Sequence, residues 1–216
     1  MSGHALHDKT LIDNKNLKYL DVPIIIANKD NFKNYGNFVY DYQNENVEIV
    51  PWPLNGKRKL SHGTGTGGGI IEGEFKYVYK NDNDGLLKLF AQNLAIQNSD
   101  SYSNEYITGL VVDNSEILIR EANYHPDGGQ VFFPMEKKPF IALLALPTDD
   151  ILPEHFVGFL FDGSCGCQIK PNIWHQPIYP LLNEKSMTLI GKQGAVHGCV
   201  CVDFIEEFNT VLRLKI

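Results

Sequence analysis

The sequence predicts an all-β protein, and two observations lead to this fold class. From about residue 106 onward, short runs rich in Val, Ile, Phe and Tyr follow one another, separated by turn-forming Asp, Asn, Ser, Gly and Pro. Several runs alternate apolar and polar residues, as strands with one buried face do. Strand-like runs that are not interleaved with long helical patterns favour a sandwich or barrel over alternating β/α units.

The N-terminal part of the chain predicts a few short elements. Residues 1–20 are polar and predict a flexible lead-in to the domain. Residues 22–27 predict an edge strand, because Pro23 has no backbone N–H to donate to a neighbouring strand. Residues 30–35 predict a short helix, and residues 38–42 alternate as a strand does.

The next segment contains a glycine-rich stretch at residues 63–69. It lacks the Gly-Lys-Ser/Thr ending of a phosphate-binding loop, so we interpret it as a turn that leads into a strand at residues 70–79. Residues 86–96 have mixed periodicity and fit either a short helix or a strand. No internal repeat divides the chain, and we expect one domain over residues 21–216.

Ten further strands complete the predicted domain, with turn signals between them. The turn at residues 126–129, which contains one proline and two glycines, is the clearest. The predicted strands cover residues 108–112, 116–122, 130–134, 140–146, 157–161, 168–169, 178–182, 187–189, 196–204 and 210–216.

Composition excludes several classes of function. The net charge is −7, whereas nonspecific nucleic-acid binding needs a basic surface. No apolar run approaches the roughly 18–20 residues of a membrane span, and the N-terminus lacks the apolar core of a signal peptide. We therefore expect a cytoplasmic protein with no nucleic-acid or membrane partner. Its cysteines form two C-x-C pairs instead of C-x2-C zinc motifs, which predicts free thiols. They are Cys165, Cys167, Cys199 and Cys201.

Two stretches, residues 121–130 and 171–177, carry the chemistry. Each places a histidine beside proline and other turn formers, next to a strand-like run. If the first stretch stays extended, Glu121, Asn123 and His125 share one face. We expect His125 and His175 to meet inside one β-barrel and to mark its active site.

The predicted strand at residues 196–204 has two unlike faces. One face is apolar, and the other carries small polar or metal-competent groups, which would line a cavity. The groups on the second face are His197, Cys199, Cys201 and Asp203.

The spacing of these residues resembles the two half-motifs of the cupin superfamily. The finer similarity is to the ureidoglycolate lyase family, in which the first motif runs like His125-Pro126-x-Gly128-x-Gln130-x-Phe132-x-Pro134 and the second like Trp174-His175-x-Pro177. An upstream segment, residues 69–72, is also similar. The chain departs from the family at Ile169-Lys170-Pro171, where the family usually has Tyr-His-Arg. The resemblance spans roughly residues 60–205.

The resemblance implies a fold and an activity. The fold would be a cupin-like double-stranded β-helix, or jelly-roll barrel, with a few short helices. The activity would be the cleavage of ureidoglycolate, a small molecule, to glyoxylate and urea in allantoin and purine catabolism. Cupins commonly dimerise through their sheets, so the resemblance also implies a homodimer.

We predict the following site from these observations. His125 and His175 would act in acid–base catalysis or as metal ligands, with Glu121 and Gln130 completing the metal set. Imidazole and carboxylate ligands suit a divalent Zn, Mn, Ni or Fe ion, but a metal-free site that uses the same histidines as acid and base is also consistent. No organic cofactor is expected.

The remaining predicted site residues would contact the substrate. Lys170 or His197 would bind its carboxylate as further members of the catalytic set, and Gln130 would orient it. Tyr124 and Trp174 would complete the substrate-binding set.

Three other classes of function stay open. A cupin dioxygenase would use the same ligand set with Fe(II) and would consume oxygen. A cupin isomerase or epimerase would release no urea, and a non-catalytic binding protein would tolerate the loss of both histidines.

Overall fold

The computed structural model describes residues 16–48, 58, 73–81, 85–94, 104–112, 115–126, 128–181, 186–193 and 198–216. These residues form β-strands with two short α-helices, which confirms the predicted all-β class. The helices are α1 (Lys29–Phe32) and α2 (Phe204–Phe208), and Pro153–His155 form one turn of 3-10 helix. The strands are β1 (Lys18–Asp21), β2 (Ile24–Ile26), β3 (Gly36–Val39), β4 (Gly73–Asn81), β5 (Leu86–Asn93), β6 (Asn104–Val112), β7 (Glu116–Ile119), β8 (Glu121–Tyr124), β9 (Gln130–Pro134), β10 (Phe140–Ala145), β11 (Val157–Phe161), β12 (Gly166–Ile169), β13 (Trp174–His175), β14 (Tyr179–Pro180), β15 (Ser186–Gln193), β16 (Val200–Asp203) and β17 (Thr210–Lys215).

The strands form two sheets. The large sheet has the order β1-β17-β7-β6-β5-β4-β15-β9-β12-β3, and the small sheet has the order β16-β8-β13-β10-β11-β2, with β14 also paired to β10. The phenol of Tyr179 in the small sheet donates to the Thr108 carbonyl of the large sheet at 3.0 Å. Within the described residues the two sheets are not joined by hydrogen-bonded strands into one closed barrel.

The two ends of the large sheet cover opposite faces of the small sheet. Phe161 on β11 contacts Phe38 of β3, with ring centroids 5.2 Å apart. Gly158 on the same strand faces the other way, since a Cβ built on it would lie 3.4 Å from a methyl group of Leu214 on β17. A strand covered on both faces is expected to be apolar throughout. Accordingly, all six residues of β10 are buried.

At Arg120 the chain passes from the large sheet into the small one almost without a loop. Strand β7 pairs with β6 and β17 in the large sheet, and β8 pairs with β16 in the small sheet, with only Arg120 between them. The Arg120 side chain is fixed by an ion pair with Asp203, at 2.7 Å. The predicted single strand at 116–122 is therefore two strands that bend at this arginine.

Helix α2 replaces the end of a predicted strand. Strand β16 ends at Asp203, because the Asp203 carboxylate accepts hydrogen bonds from the backbone N–H groups of Ile205 and Glu206. Such an N-cap starts a helix, and acidic residues in the first turn favour it further. The segment at 86–96, which fitted either a helix or a strand, contains strand β5.

The strands near the N-terminus pair with distant parts of the chain. Strand β1 is parallel to β17, and β2 is parallel to β11. Part of the predicted lead-in, from Lys18 onward, is thus an ordered strand. The predicted glycine-rich turn at 63–69 lies outside the described residues. Within the described residues, no helix is long and apolar enough to cross a membrane.

Candidate active site

His125 and His175 lie side by side, although fifty positions separate them in the sequence. Their ring centroids are 5.3 Å apart and the ring planes meet at 62°. Both side chains are buried, with 3% of each residue exposed. His125 directly follows β8, and His175 lies on β13, the strand that pairs with β8.

A tight turn brings His175 to this position. In the turn at residues 170–173, Pro171 occupies the second position and Asn172 the third, with a φ of +64°. This sequence suits a type II turn, whose third residue needs a positive φ. The Asn172 N–H donates to the His125 carbonyl at 2.9 Å. The turn that precedes His175 is therefore hydrogen-bonded to the backbone of His125.

Each imidazole is oriented by a backbone carbonyl. The Nδ1 of His125 lies 3.2 Å from the Gly198 carbonyl oxygen, and the Nδ1 of His175 lies 2.7 Å from that of Ile173. A carbonyl only accepts, so each Nδ1 carries the proton and donates. In a neutral ring, Nε2 then keeps its lone pair and is available to a substrate proton or to a metal.

Burial keeps both rings neutral. It lowers the pKa of His125 to about 3, with a further decrease from the neighbouring His175. Burial likewise lowers the pKa of His175 to about 4. Desolvation disfavours the charged imidazolium. Near neutral pH the site therefore presents two uncharged imidazoles.

The face of the small sheet that carries His175 also carries polar groups on the neighbouring strands. His175 is opposite Asn123, and Asn123 is opposite Cys201 on its other side. Residues opposite each other in an antiparallel pair point to the same face. Glu121 shares this face because it lies two residues before Asn123. Three of these side chains are only half-buried: Glu121, Asn123 and Cys201.

Glu121 lies on this face at the opposite end of β8 from His125. It comes four positions before His125, which corresponds to about 13 Å along an extended strand. Burial raises the pKa of Glu121 to about 7, and the neighbouring Cys201 and Asp203 add to this increase.

The donor set for the predicted metal ion is incomplete in the described residues. No three His, Cys, Asp or Glu side chains in this part of the chain lie close enough together to hold an ion. His125 and His175 offer two nitrogen ligands, but Glu121 does not join them as a third. His197, four positions after the end of β15 in the sequence, lies outside the described residues. We therefore derive no step through a metal.

Gln130 lies at the start of β9 in the large sheet. It shares a face with Phe132, which packs against Tyr77 in the interior, and 8% of Gln130 is exposed. The chain between His125 and Gln130 leads from the small sheet to the large sheet, so β8 and β9 do not pair as a hairpin.

Tyr124 and Trp174 pack behind the small sheet, not beside His175. Both precede a histidine by one residue, and adjacent strand residues point to opposite faces. Their rings meet edge to face at 4.6 Å. The Trp174 indole N–H donates to the Thr148 carbonyl at 2.9 Å, and the Arg58 guanidinium lies 5.6 Å from the indole ring centre. Both rings thus lie on the face of the small sheet opposite His175, and their role in substrate binding stays a prediction.

Lys170 is directed away from the histidine pair. Its ammonium donates to the Lys33 carbonyl just after α1, at 2.8 Å, in an exposed hydrogen bond. Ile169, the residue before it, is fully buried. The alternation that buries Ile169 turns Lys170 outward.

The four cysteines form no disulfide bond with one another, as the C-x-C spacing predicted. Cys199 and Cys201 lie on one face of the chain around β16, with their sulfur atoms 3.6 Å apart. The hydrogen bond between them and burial raise the pKa of the Cys199 thiol. Burial also raises the pKa of Cys167.

Comparison with known proteins matches this arrangement to one family. The ureidoglycolate lyase family model matches residues 71–210. A ureidoglycolate lyase of Azotobacter vinelandii is 34% identical over 83 residues, which are 38% of this chain and 50% of that protein. A ureidoglycolate lyase of Pseudomonas paraeruginosa is 24% identical over 132 residues, which are 60% of this chain and 78% of that protein.

The aligned residues cover only part of the relatives, whereas the family model covers most of this chain. For two of the matched ureidoglycolate lyases, the aligned part spans 50% and 56% of their length. The family match is longer, since residues 71–210 are 140 of the 216 residues. It includes both histidines and the strands that hold them. The chain therefore belongs to the ureidoglycolate lyase family.

Proposed function

We propose that the protein cleaves ureidoglycolate to glyoxylate and urea. The observation that carries this proposal is the pair of neutral, adjacent imidazoles, held by backbone carbonyls, in a chain of this family. The reaction moves one proton: it leaves the substrate hydroxyl as the aldehyde forms, and it reaches the nitrogen as the carbon–nitrogen bond breaks. No net proton is taken up or released.

The geometry suits such a proton relay. A free Nε2 accepts the hydroxyl proton, and the same group returns it to the departing nitrogen, which leaves as urea. An imidazole whose pKa lies at about 3 or 4 is a modest base. Its imidazolium is correspondingly a strong acid, which favours protonation of a poor leaving group such as the ureido nitrogen. Gln130, on the facing sheet, would orient the substrate.

A direct assay tests the proposal. Purified protein is mixed with ureidoglycolate, and urea and glyoxylate are measured. We expect His125→Asn and His175→Asn each to lower kcat by about 100-fold or more, as loss of a general acid or base does. His155→Asn is the matched control, because His155 is exposed on the 3-10 turn. Wild-type protein that releases no urea with any added divalent metal would exclude the activity.

The metal dependence needs its own measurement. We propose that any divalent Zn, Mn, Ni or Fe ion would bind through the Nε2 atoms of His125 and His175. Its remaining ligands would come from outside the described side chains. Activity and metal content before and after chelation distinguish this site from a metal-free relay. Loss of activity on chelation, restored by one metal, would establish the ion.

Further parts of the proposal rest on the family. We propose a role in allantoin degradation, a location in the cytoplasm and a homodimer in solution. The net charge of −7 supports the prediction that nucleic acid is not a partner. Light scattering of the purified protein measures the oligomeric state.

A further inference from the structure

Asn123 is the middle one of three cross-strand neighbours, with His175 on one side and Cys201 on the other. It lies opposite His175 on β13 and opposite Cys201 on β16. Directly opposite residues in antiparallel strands have Cβ atoms about 4.5–5.5 Å apart and share a face. The Asn123 amide is therefore an immediate neighbour of the His175 imidazole on the half-buried side of the small sheet.

Two neighbouring residues use N–H groups to fix the backbone near the histidines. The side-chain amide of Gln176, one residue after His175, donates to the Glu121 carbonyl at 2.5 Å. The backbone N–H of Asn172 donates to the His125 carbonyl. Both contacts hold the backbone around the site. The Asn123 side chain makes no hydrogen bond to any described residue, and it is not needed to hold the sheet together. Its donor and acceptor are both available to a bound molecule.

An amide in this place matches one part of the proposed substrate. A ureido group carries N–H donors and a carbonyl acceptor side by side, and an asparagine side chain offers the complementary acceptor and donor. Two such hydrogen bonds would hold the ureido nitrogen next to His175. This ring is one of the two imidazoles that we propose for the proton relay. A carboxylate offers only acceptors and could use only half of the amide.

We propose that the Asn123 amide binds the ureido group of the substrate beside the His175 imidazole. This inference rests on the proposed function and names the part of the substrate that this strand recognises. It makes Asn123 a substrate-binding residue and leaves the carboxylate to other groups. It also makes a ureido group, not merely a hydroxy acid, the feature for which the site selects.

Two unreactive ligands test the inference by isothermal titration calorimetry. Ureidoacetate keeps the ureido group and the carboxylate but lacks the hydroxyl, so the bond cannot be cleaved. Glycolate keeps the hydroxyl and the carboxylate but lacks the ureido group. We expect Asn123→Ala to weaken ureidoacetate binding about tenfold, the effect of losing one or two hydrogen bonds, and to change glycolate binding less than twofold.

Two variants accompany this measurement. Asn37→Ala is the matched control, because the Asn37 amide bonds to Gln168 on β12 of the large sheet, at 3.1 Å, and should leave both affinities unchanged. Asn123→Asp keeps the size and the acceptor but loses the donor and adds a negative charge. It should weaken ureidoacetate binding at least as much as the alanine does. The Tm of both Asn123 variants should stay near that of wild type, since no hydrogen bond within the described protein is lost.

The outcomes separate this inference from the proposed function. Wild type that fails to bind ureidoacetate, or an alanine variant that binds it normally, overturns the role of Asn123. Equal weakening of both ligands overturns it as well, because that result indicates a general distortion. Ureidoacetate binding that depends on Asn123, in a protein that releases no urea from ureidoglycolate, supports the inference and rejects the lyase activity.

Discussion

Replacing Glu121 by glutamine should stabilise the protein at alkaline pH and not at acidic pH. Glu121 lies on β8, half-buried on the face that carries His175. Burial raises its pKa from the ordinary value of 4.5 to about 7, with further contributions from Cys201 and Asp203. The carboxylate is therefore costly to ionise in the folded protein, and glutamine has nearly the same shape without the charge.

The sign and size of the effect follow from the two pKa values. Below pH 4.5 the carboxyl group is protonated in both folded and unfolded protein, and it adds no pH dependence. As pH rises from 4.5 to 7, the unfolded chain loses the proton first, so the free energy of unfolding falls. Above pH 7 the full cost of about 3 kcal/mol is present, at about 1.4 kcal/mol for each step in pKa. Residual exposure of Glu121 reduces this to about 2–3 kcal/mol.

Thermal unfolding at two pH values measures this cost. Near pH 8.5, Glu121→Gln should melt about 5–10 °C above wild type, because 1 kcal/mol shifts Tm by about 2–4 °C in a chain of this size. Near pH 5 the gap should nearly close. Glu154→Gln, at an exposed carboxylate on the 3-10 turn, controls for a general charge effect. A gap of the same size at both pH values would refute the reasoning.

Two further predictions concern a buried hydroxyl and the turn before His175. Tyr79→Phe should raise the free energy of unfolding by about 1 kcal/mol, because the buried Tyr79 hydroxyl has no partner among the described residues. Tyr179→Phe loses the hydrogen bond to the Thr108 carbonyl and should lower the free energy of unfolding by a similar amount. Chemical denaturation of both variants measures the two changes. Asn172→Gly should keep stability and activity because glycine adopts a positive φ freely, whereas Asn172→Ala should lower the free energy of unfolding by about 1 kcal/mol and reduce kcat through displacement of His175. Equal behaviour of the two Asn172 variants would contradict the proposed role of the turn.

The fold class could be predicted because it depends on local patterns. Strand-like runs and turn residues predicted most of the strands from β6 to β17, and the buried run at 140–146 fits β10 closely. The bend at Arg120 could not be predicted, because a strand that changes sheets has the same local sequence as one that continues. Helix α2 had a visible signal in Asp203, but the apolar alternation before it favoured a longer strand.

Part of the candidate site could also be predicted, because that part depends on local sequence patterns. Turn residues and histidines occur together in the sequence, and the structure places the two rings in contact. Strand alternation already implies from the sequence that Trp174 and His175 point to opposite faces of their strand. Alternation also placed Asn123 on the face of Glu121. Its position opposite His175 depends on strand register, which sequence alone does not supply.

The parallel pairing of β1 with β17 has a consequence for synthesis of the chain. Lys18 lies opposite Thr210, so β1 can pair only after residues about 190 positions further along the chain have left the ribosome. Contacts between such distant residues form slowly, because a long loop must close first. Until β17 has been synthesised, β1 therefore lacks its hydrogen-bonding partner, and a chaperone that binds unpaired strands could shield it.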